Sequence, residues 1–296
     1  MEDIKVAVIG TNGLLSNYIG FYCEESKFSI SWFGLEPPAL FKGSSFYKIN
    51  LLNDDLDYEA LSKYDFIIYA CGAGIQSNLS ESTNLIYGLN TFIPIQIMEQ
   101  LSLVNFTGSF VTFGSYFEIG SNDNDISFNE SDVLNSRLAV PNHYSISKRL
   151  LSTFSVSHSY KFSHFHYILP TIYGPLESCH RLIPYTINAL RNGDTLQFTS
   201  GIQLRQYVYV GDIPKIIFSN ERSGIYNIGG SEIYSVKEIV EKIHNMFGVV
   251  MNSSIFGKLN RVDVGMKNLK LNDSKLLSAL NNSFEYTAVD EIIKLY

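Results

Sequence analysis

The first 170 residues alternate short, unbroken apolar runs with stretches of helical spacing, and this alternation narrows the chain to one kind of architecture. Residues 5–10 (KVAVIG), 29–34, 46–49, 66–70 (FIIYA), 110–113 and 167–169 read as strands. Leu85, Leu89, Ile93, Ile97 and Leu101 stand at the spacing of one helix face, and residues 151–160 read as the tail of another helix. Strands that are apolar at every position need cover on both faces, which a parallel sheet flanked by crossover helices supplies. Its crossovers are right-handed. The expected fold class is therefore α/β, a doubly wound parallel sheet. After Gly174-Pro175 turn residues become frequent and the elements shorten. Two units are expected: 1–174, and a smaller α/β portion, 175–296, from which 224–228 returns to the main sheet.

The turn after the first strand carries chemistry. Gly10-Thr11-Asn12-Gly13-Leu14-Leu15-Ser16 leaves a strand and opens a helix. Backbone N–H groups at a helix N-terminus point outward, and the helix dipole favours negative charge, so such a turn accepts a pyrophosphate. Gly10 allows the tight turn and Gly13 the close approach. Ser16 takes the place of a third glycine and is small enough for it. The 1–174 unit is thus expected to be Rossmann-like and to bind a dinucleotide. Glu36, at the end of the second strand region, stands where a carboxylate accepts from the adenosine ribose hydroxyls. It would repel a 2′-phosphate, and Pro37-Pro38 follow it with no basic residue. This favours NAD(H), with NADP(H) left open through Lys42.

A second constellation lies on Tyr144-Ser145-Ile146-Ser147-Lys148. Four residues apart, Tyr144 and Lys148 share one helix face. Together they offer a proton donor whose acidity an ammonium raises. With 19 tyrosines and 15 lysines in 296 residues, about one such pair is expected by chance, so the motif gains meaning only from its place. That place is downstream of Ser115, which follows the strand at 110–113.

Here the chain resembles the extended short-chain dehydrogenase/reductase family, in its nucleotide-sugar epimerase/dehydratase/reductase branch. The resemblance rests on the ordered set of the glycine turn, Asp65-Phe66-Ile67-Ile68-Tyr69-Ala70, Asn90, Ser115 five residues before Gly120, Tyr144 with Lys148, and Tyr173-Gly174-Pro175. It continues through Arg181-Leu182-Ile183-Pro184, Gln203-Leu204-Arg205-Gln206-Tyr207-Val208-Tyr209-Val210-Gly211-Asp212 and Tyr226-Asn227-Ile228-Gly229-Gly230. Thr199-Ser200-Gly201-Ile202-Gln203-Leu204-Arg205 and Gly114-Ser115-Tyr116-Phe117 look most like sugar 4-ketoreductases of the CDP-abequose and CDP-paratose synthase kind.

The resemblance implies a division of labour. Tyr144 would protonate a carbonyl oxygen, Lys148 would lower the Tyr144 pKa and bind the nicotinamide ribose, and Ser115 would hydrogen-bond the reacting oxygen. Cofactor contacts fall on Gly10, Asn12, Gly13, Leu14, Leu15 and Glu36. Asn50, Leu51, Ala70, Cys71, Gly72, Asn90 and Pro170 join them, as do Tyr144 and Lys148 themselves. Substrate contacts fall on Ser115, Tyr116, Thr171 and Arg181, with Leu196 and Phe198 beside the nucleotide base. Arg205 would clamp the diphosphate, a task suited to a planar guanidinium, with Arg261 as a second clamp. The implied partner is a nucleoside-diphosphate sugar, and the implied assembly a homodimer. The leading reaction is reduction of a nucleotide-linked 4-keto-6-deoxy sugar in surface-polysaccharide biosynthesis. The alternatives are a 4-epimerase or dehydratase, and a non-catalytic nucleotide-binding protein on the same fold. A dehydratase usually carries an acid beside the serine, whereas Tyr116-Phe117 follow Ser115 here. Ser16, Asn50, Gly114, Ile119, Thr171 and Gln206 depart from the family pattern.

Composition closes off other classes. A net charge of −7 and a pI near 5.4 argue against duplex nucleic acid as a partner, because phosphates must be neutralised by Lys and Arg. No apolar run approaches the roughly 18 residues of a membrane span. Met1-Glu2-Asp3-Ile4 does not resemble a secretory or transit segment, and three scattered cysteines form no disulfide framework or metal spacing. The expected compartment is the reducing cytosol. His164 and His166 share a strand face, but no acid or cysteine completes a metal set around them. Residues 121–132 read as a long loop, either solvated or covering the substrate.

Overall fold

A computed structural model describes residues 4–75, 80–230, 232–260 and 266–296. The strands are β1 Lys5–Ile9, β2 Ser29–Gly34, β3 Ser45–Lys48, β4 Phe66–Tyr69, β5 Ser109–Ser115, β6 Ser163–Leu169, β7 Thr171–Tyr173, β8 Leu204–Tyr209, β9 Gly224–Asn227, β10 Glu232–Ser235 and β11 Asn268–Leu269. The main sheet is parallel in the order β3-β2-β1-β4-β5-β6-β9. Its register sets Val6 opposite both Ile30 and Phe66, and Phe165 opposite Gly224.

Helices close both faces of this sheet: α1 Leu14–Ser26, α2 Tyr58–Leu61, α3 Thr83–Tyr87, α4 Ile93–Leu103, α5 Glu130–Leu134 and α6 His143–Ser157. Alternate strand residues point to opposite layers. Val6, Val8, Ile68 and Val111 pack with Ile19 and Trp32. Ala7, Ile9, Ile67 and Phe110 pack with Ile97, Leu101 and Leu151. The unbroken apolar runs therefore reflect two cores, one on each face.

The smaller sheet runs β10-β8-β11, with β7 also paired to β8. The remaining helices are α7 Leu182–Asn192, α8 Asp212–Ser219, α9 Val236–Met246, α10 Ser274–Ala279 and α11 Val289–Ile293. α7, α9 and α11 bury Ile183, Ile187, Ile239, Ile243 and Val289 against Tyr173 and Tyr207. α8 lies on the α1 face of the main sheet, where Ile213, Ile216 and Ile217 join the first core.

Two expected elements change form. The single helix over 85–101 is instead α3, a π turn over Gly88–Phe92, and α4. Pro94 in the first turn of α4 has no N–H to give, and a widened turn before it absorbs the mismatch. Residues 121–132 are stitched down rather than free. Asn122 and Phe128 bridge to Met266 and Leu271, Asn122 Nδ2 donates to Gly120 O and Asn268 O, and α5 begins at Glu130.

Candidate active site

β1 and β4 lie side by side, although β2 and β3 follow β1 in the chain. A crevice opens at the C-terminal ends of strands where the order reverses in this way. Gly10 lies in that crevice with φ +111°, and a Cβ there would come within 2.9 Å of Cys71 N and Sγ. Glycine at 10 therefore lets the β1 turn touch the Ala70-Cys71-Gly72 segment that follows β4. Asn12, also at positive φ, accepts from Ala39 N (2.8 Å) and donates to Pro37 O (3.0 Å). Thr11 Oγ1 donates to Glu36 O (2.7 Å), which holds the exposed Glu36 beside the glycine turn.

The turn fits a pyrophosphate. Gly13 opens α1 with no side-chain cap and no acid in the first turn, so main-chain N–H groups there are left for a ligand. A Cβ on Gly13 would meet only Ser16 Oγ, at 3.4 Å, leaving the outer side open. Ser16 itself is buried, with its hydroxyl unpartnered. Leu51 is buried, and the Asn50 side chain caps its own turn by accepting from Leu52 N. Burial pushes the Cys71 thiol up to about 12, which suits a packing role rather than a nucleophile.

The chemical end is assembled by α6 against β5. Asn142 caps α6 by accepting from Ser145 N (2.9 Å), which places Tyr144 in the first turn and Lys148 on the buried face. Lys148 Nζ donates to Phe113 O (2.8 Å). The Tyr144 phenol faces the side chain of Ser115, the buried last residue of β5. Burial raises the Tyr144 phenol to about 12, opposed by the Ser115 side chain and by Arg181. Burial lowers Lys148 to about 8, and the Glu118 carboxyl opposes that fall.

Asn90 ties the two ends together. In the π turn its Oδ1 accepts from Ala73 N (2.9 Å), while Nδ2 donates to Ala73 O (2.8 Å) and Ser147 Oγ (2.9 Å). With those bonds made, Asn90 acts through the loop after β4 rather than by reaching outward.

Beyond β6, Pro170 is buried before β7, and the Tyr116 hydroxyl meets Thr171 Oγ1 at 2.5 Å. Arg181 pairs with Glu177 (2.7 Å) and donates to Ile172 O (2.7 Å). Arg205 is buried in β8, donating to Leu204 O and Met266 O, both at 2.8 Å. Leu196 and Phe198 sit apart, packed with Ala189 and Val240. Arg261 lies outside the described residues.

Glu118 and Arg149 escape a motif reading. Glu118, in the one-turn 3-10 helix Tyr116–Ile119, is fully buried behind Ser115, and its Oε1 accepts from Ser115 N (2.6 Å). Burial drives this carboxyl up to about 7. Arg149 Nε donates to Glu118 O (3.0 Å) and NH1 to Leu138 O (3.1 Å). A sequence cue existed for Glu118, because Ser115 and an acid three residues later form a capping box.

Comparison with known proteins bears on the fold and the family. No curated protein sequence matches the chain. Among solved structures, UDP-glucose 4-epimerase from Thermus thermophilus with NAD superposes with a TM-score of 0.82 at 16% identity, covering 99% of this chain and 97% of that one. Bacillus anthracis str. Ames dTDP-glucose 4,6-dehydratase with NAD gives 0.79 at 18% identity, covering 99% and 96%. The Bordetella bronchiseptica enzyme WbmG with NAD and UDP gives 0.78 at 15% identity, covering 99% and 92%. At these identities the likeness speaks for the fold. The sequence pattern of a family, by contrast, matches directly over residues 6–229. The chain belongs to the NAD dependent epimerase/dehydratase family.

Proposed function

We propose that this protein reduces a 4-keto-6-deoxy sugar carried on a nucleoside diphosphate, with NADH as the hydride donor. The observation that carries the reading is the convergence of Ser115, Tyr144 and Lys148 at the end of β5. Bound NADH would supply the hydride. Tyr144 passes its proton to the carbonyl oxygen, Ser115 donates a hydrogen bond to that oxygen, and Lys148 holds positive charge behind them. Stabilising charge where it develops in the transition state is the main source of rate. The reading prefers reduction to dehydration because Tyr116 and Phe117 follow Ser115, and the acid of this segment, Glu118, is turned into the core. Neighbours solved with NAD and with UDP support the cofactor and the substrate class.

The remaining site residues take the roles their resemblance implies, with 1–174 holding the cofactor and 175–296 mainly the sugar nucleotide. Arg181 and Arg205 serve the diphosphate. Glu36 selects NADH over NADPH. Two copies of the chain pair through α4 and α6, which expose Leu103 (73%) and Leu150 (45%). The test is NADH or NADPH oxidation, followed at the nicotinamide band, with CDP- and dTDP-4-keto-6-deoxyglucose. Stoichiometric oxidation is expected with NADH. Interconversion of a nucleotide sugar with no net change in nicotinamide would make the protein an epimerase instead, and a preference for NADPH would refute the role of Glu36.

A further inference from the structure

Behind the reactive trio lies a buried polar string that the proposed reaction does not use. It starts at Glu118. Three polar atoms converge on the bare Cα of Gly114, where a Cβ would stand 2.7 Å from Glu118 Oε1, 2.8 Å from His166 Nε2 and 3.1 Å from Ser152 Oγ. Ser152 Oγ meets His166 Nε2 at 2.8 Å. His166 Nδ1 meets Thr112 Oγ1 at 2.8 Å, and Thr112 Oγ1 meets His164 Nε2 at 2.9 Å. Ser152, His166 and Thr112 are all but inaccessible, whereas His164, near the start of β6, is only half-buried.

The Glu118 carboxyl and Ser152 face each other across the bare Cα of Gly114, and each hydrogen bond from Ser152 to His164 can point either way. With Glu118 protonated, its O–H faces Ser152, Ser152 donates to His166 Nε2, His166 Nδ1–H to Thr112, and Thr112 to His164 Nε2. With Glu118 ionised, each bond reverses. Ser152 then donates to the carboxylate, His166 Nε2–H to Ser152, Thr112 to His166 Nδ1, and His164 Nε2–H to Thr112. Passing from the first state to the second moves one proton outward, released from His164 Nδ1 to water, and every intermediate group ends neutral. A neutral His166 is required for this, and burial holds its imidazole well below the usual range.

We propose that Glu118 is a positioning residue for Tyr144 and Lys148, and that its ionisation communicates with solvent through Ser152, His166, Thr112 and His164. The charged and titratable groups facing it are Lys148, Arg149 and Tyr144 from α6 and His166 from β6. The negative form favours a protonated Lys148 and disfavours an ionised Tyr144. Gly114 and Glu118 are thus one device: the missing side chain at 114 makes room for the carboxyl at 118.

This proposal rests on the Ser115–Tyr144–Lys148 reading, and its test needs no sugar. The Lys148 Cε resonance of lysine-13C-labelled protein is titrated in wild type and in Glu118→Gln, which keeps the shape and removes the charge. The Lys148 midpoint is expected to fall by about one pH unit in the variant. An unchanged midpoint would overturn the coupling, since a merely structural role would leave it in place. The second measurement follows the protonated-carboxyl infrared band, identified by its loss in Glu118→Gln, after transfer to D2O. Its exchange is expected to slow at least about tenfold in Thr112→Val, and Ser152→Ala serves if that variant does not fold. Exchange as fast as in wild type would overturn the path. If the Lys148 titration and the carboxyl exchange both behave as expected and no keto sugar is reduced, the reductase reading fails and this one stands. If a keto sugar is reduced while the Lys148 midpoint stays put, the reverse holds.

Discussion

Tyr144 and Glu118 show how one fold gives two hydroxyl-bearing acids different work. Both are shifted upward by burial, Tyr144 to about 12 and Glu118 to about 7. Only the Tyr144 side chain acts on the hydroxyl of Ser115, the residue assigned to the reacting oxygen, whereas the Glu118 carboxyl accepts from the Ser115 main-chain N–H. Tyr144→Phe removes the proton donor and little packing. It should lower kcat by about 10²–10⁴-fold, the usual worth of a general acid, while NADH still quenches protein fluorescence with similar affinity. Glu118 gives a stability prediction. Its folded-state pKa lies above the 4.5 of a free side chain, so its stabilising contribution is complete below pH 4.5 and is lost as pH rises through 7. Glu118→Gln escapes that loss. Its Tm relative to wild type should therefore rise between pH 4.5 and pH 7, by the equivalent of about 3 kcal/mol at most. A constant difference across that range would rule out a buried titrating carboxyl.

At the scale of elements, β5 and the π turn position most of the site. β5 is buried from Phe110 to Ser115, and Gly114 is the point where the strand makes room for polar neighbours. Gly114→Ala would force a methyl group to within 2.7 Å of Glu118 Oε1 and 2.8 Å of His166 Nε2. Overpacking of this kind costs about 1–3 kcal/mol, readable as a lower urea midpoint with an unchanged slope. In the sequence Gly114 is only one departure from the family pattern, because its consequence lies in β6 and α6. The π turn was hidden for the same reason. Helical spacing over 85–101 is real, and Pro94 marks the fault, but nothing local says that the extra residue turns Asn90 inward to hold Ala73 and Ser147.

For the whole molecule, the π turn, α4 and α6 expose Phe92, Leu103, Ile146 and Leu150. If two copies meet there, Leu150→Glu should convert a dimer to a monomer by light scattering, with secondary structure unchanged. An already monomeric wild type would remove the assembly from the proposal. Cofactor binding gives the second whole-molecule test. A ligand held at a hundredfold excess over its Kd stabilises the native state by about 2.7 kcal/mol, so saturating NADH should raise Tm by several degrees. The same addition to Gly13→Asp, with a carboxylate at the mouth of α1, should raise it far less.

The order of elements, the parallel sheet and the glycine turn could be read from the chain because they depend on local periodicity and on short-range backbone geometry. Tyr144 and Lys148 were legible as one helix face, and Ser115 through the strand that ends on it. Glu118, Arg149, Ser152 and His166 were not, since each matters only by what the tertiary fold sets beside it. A carboxyl at the end of a capping box usually faces water. Here α6 and β6 close over it, exclude solvent, and turn an ordinary cap into a buried ionisable group. Local sequence determines which backbone forms. Which polar atoms lose their water is decided only when distant segments pack.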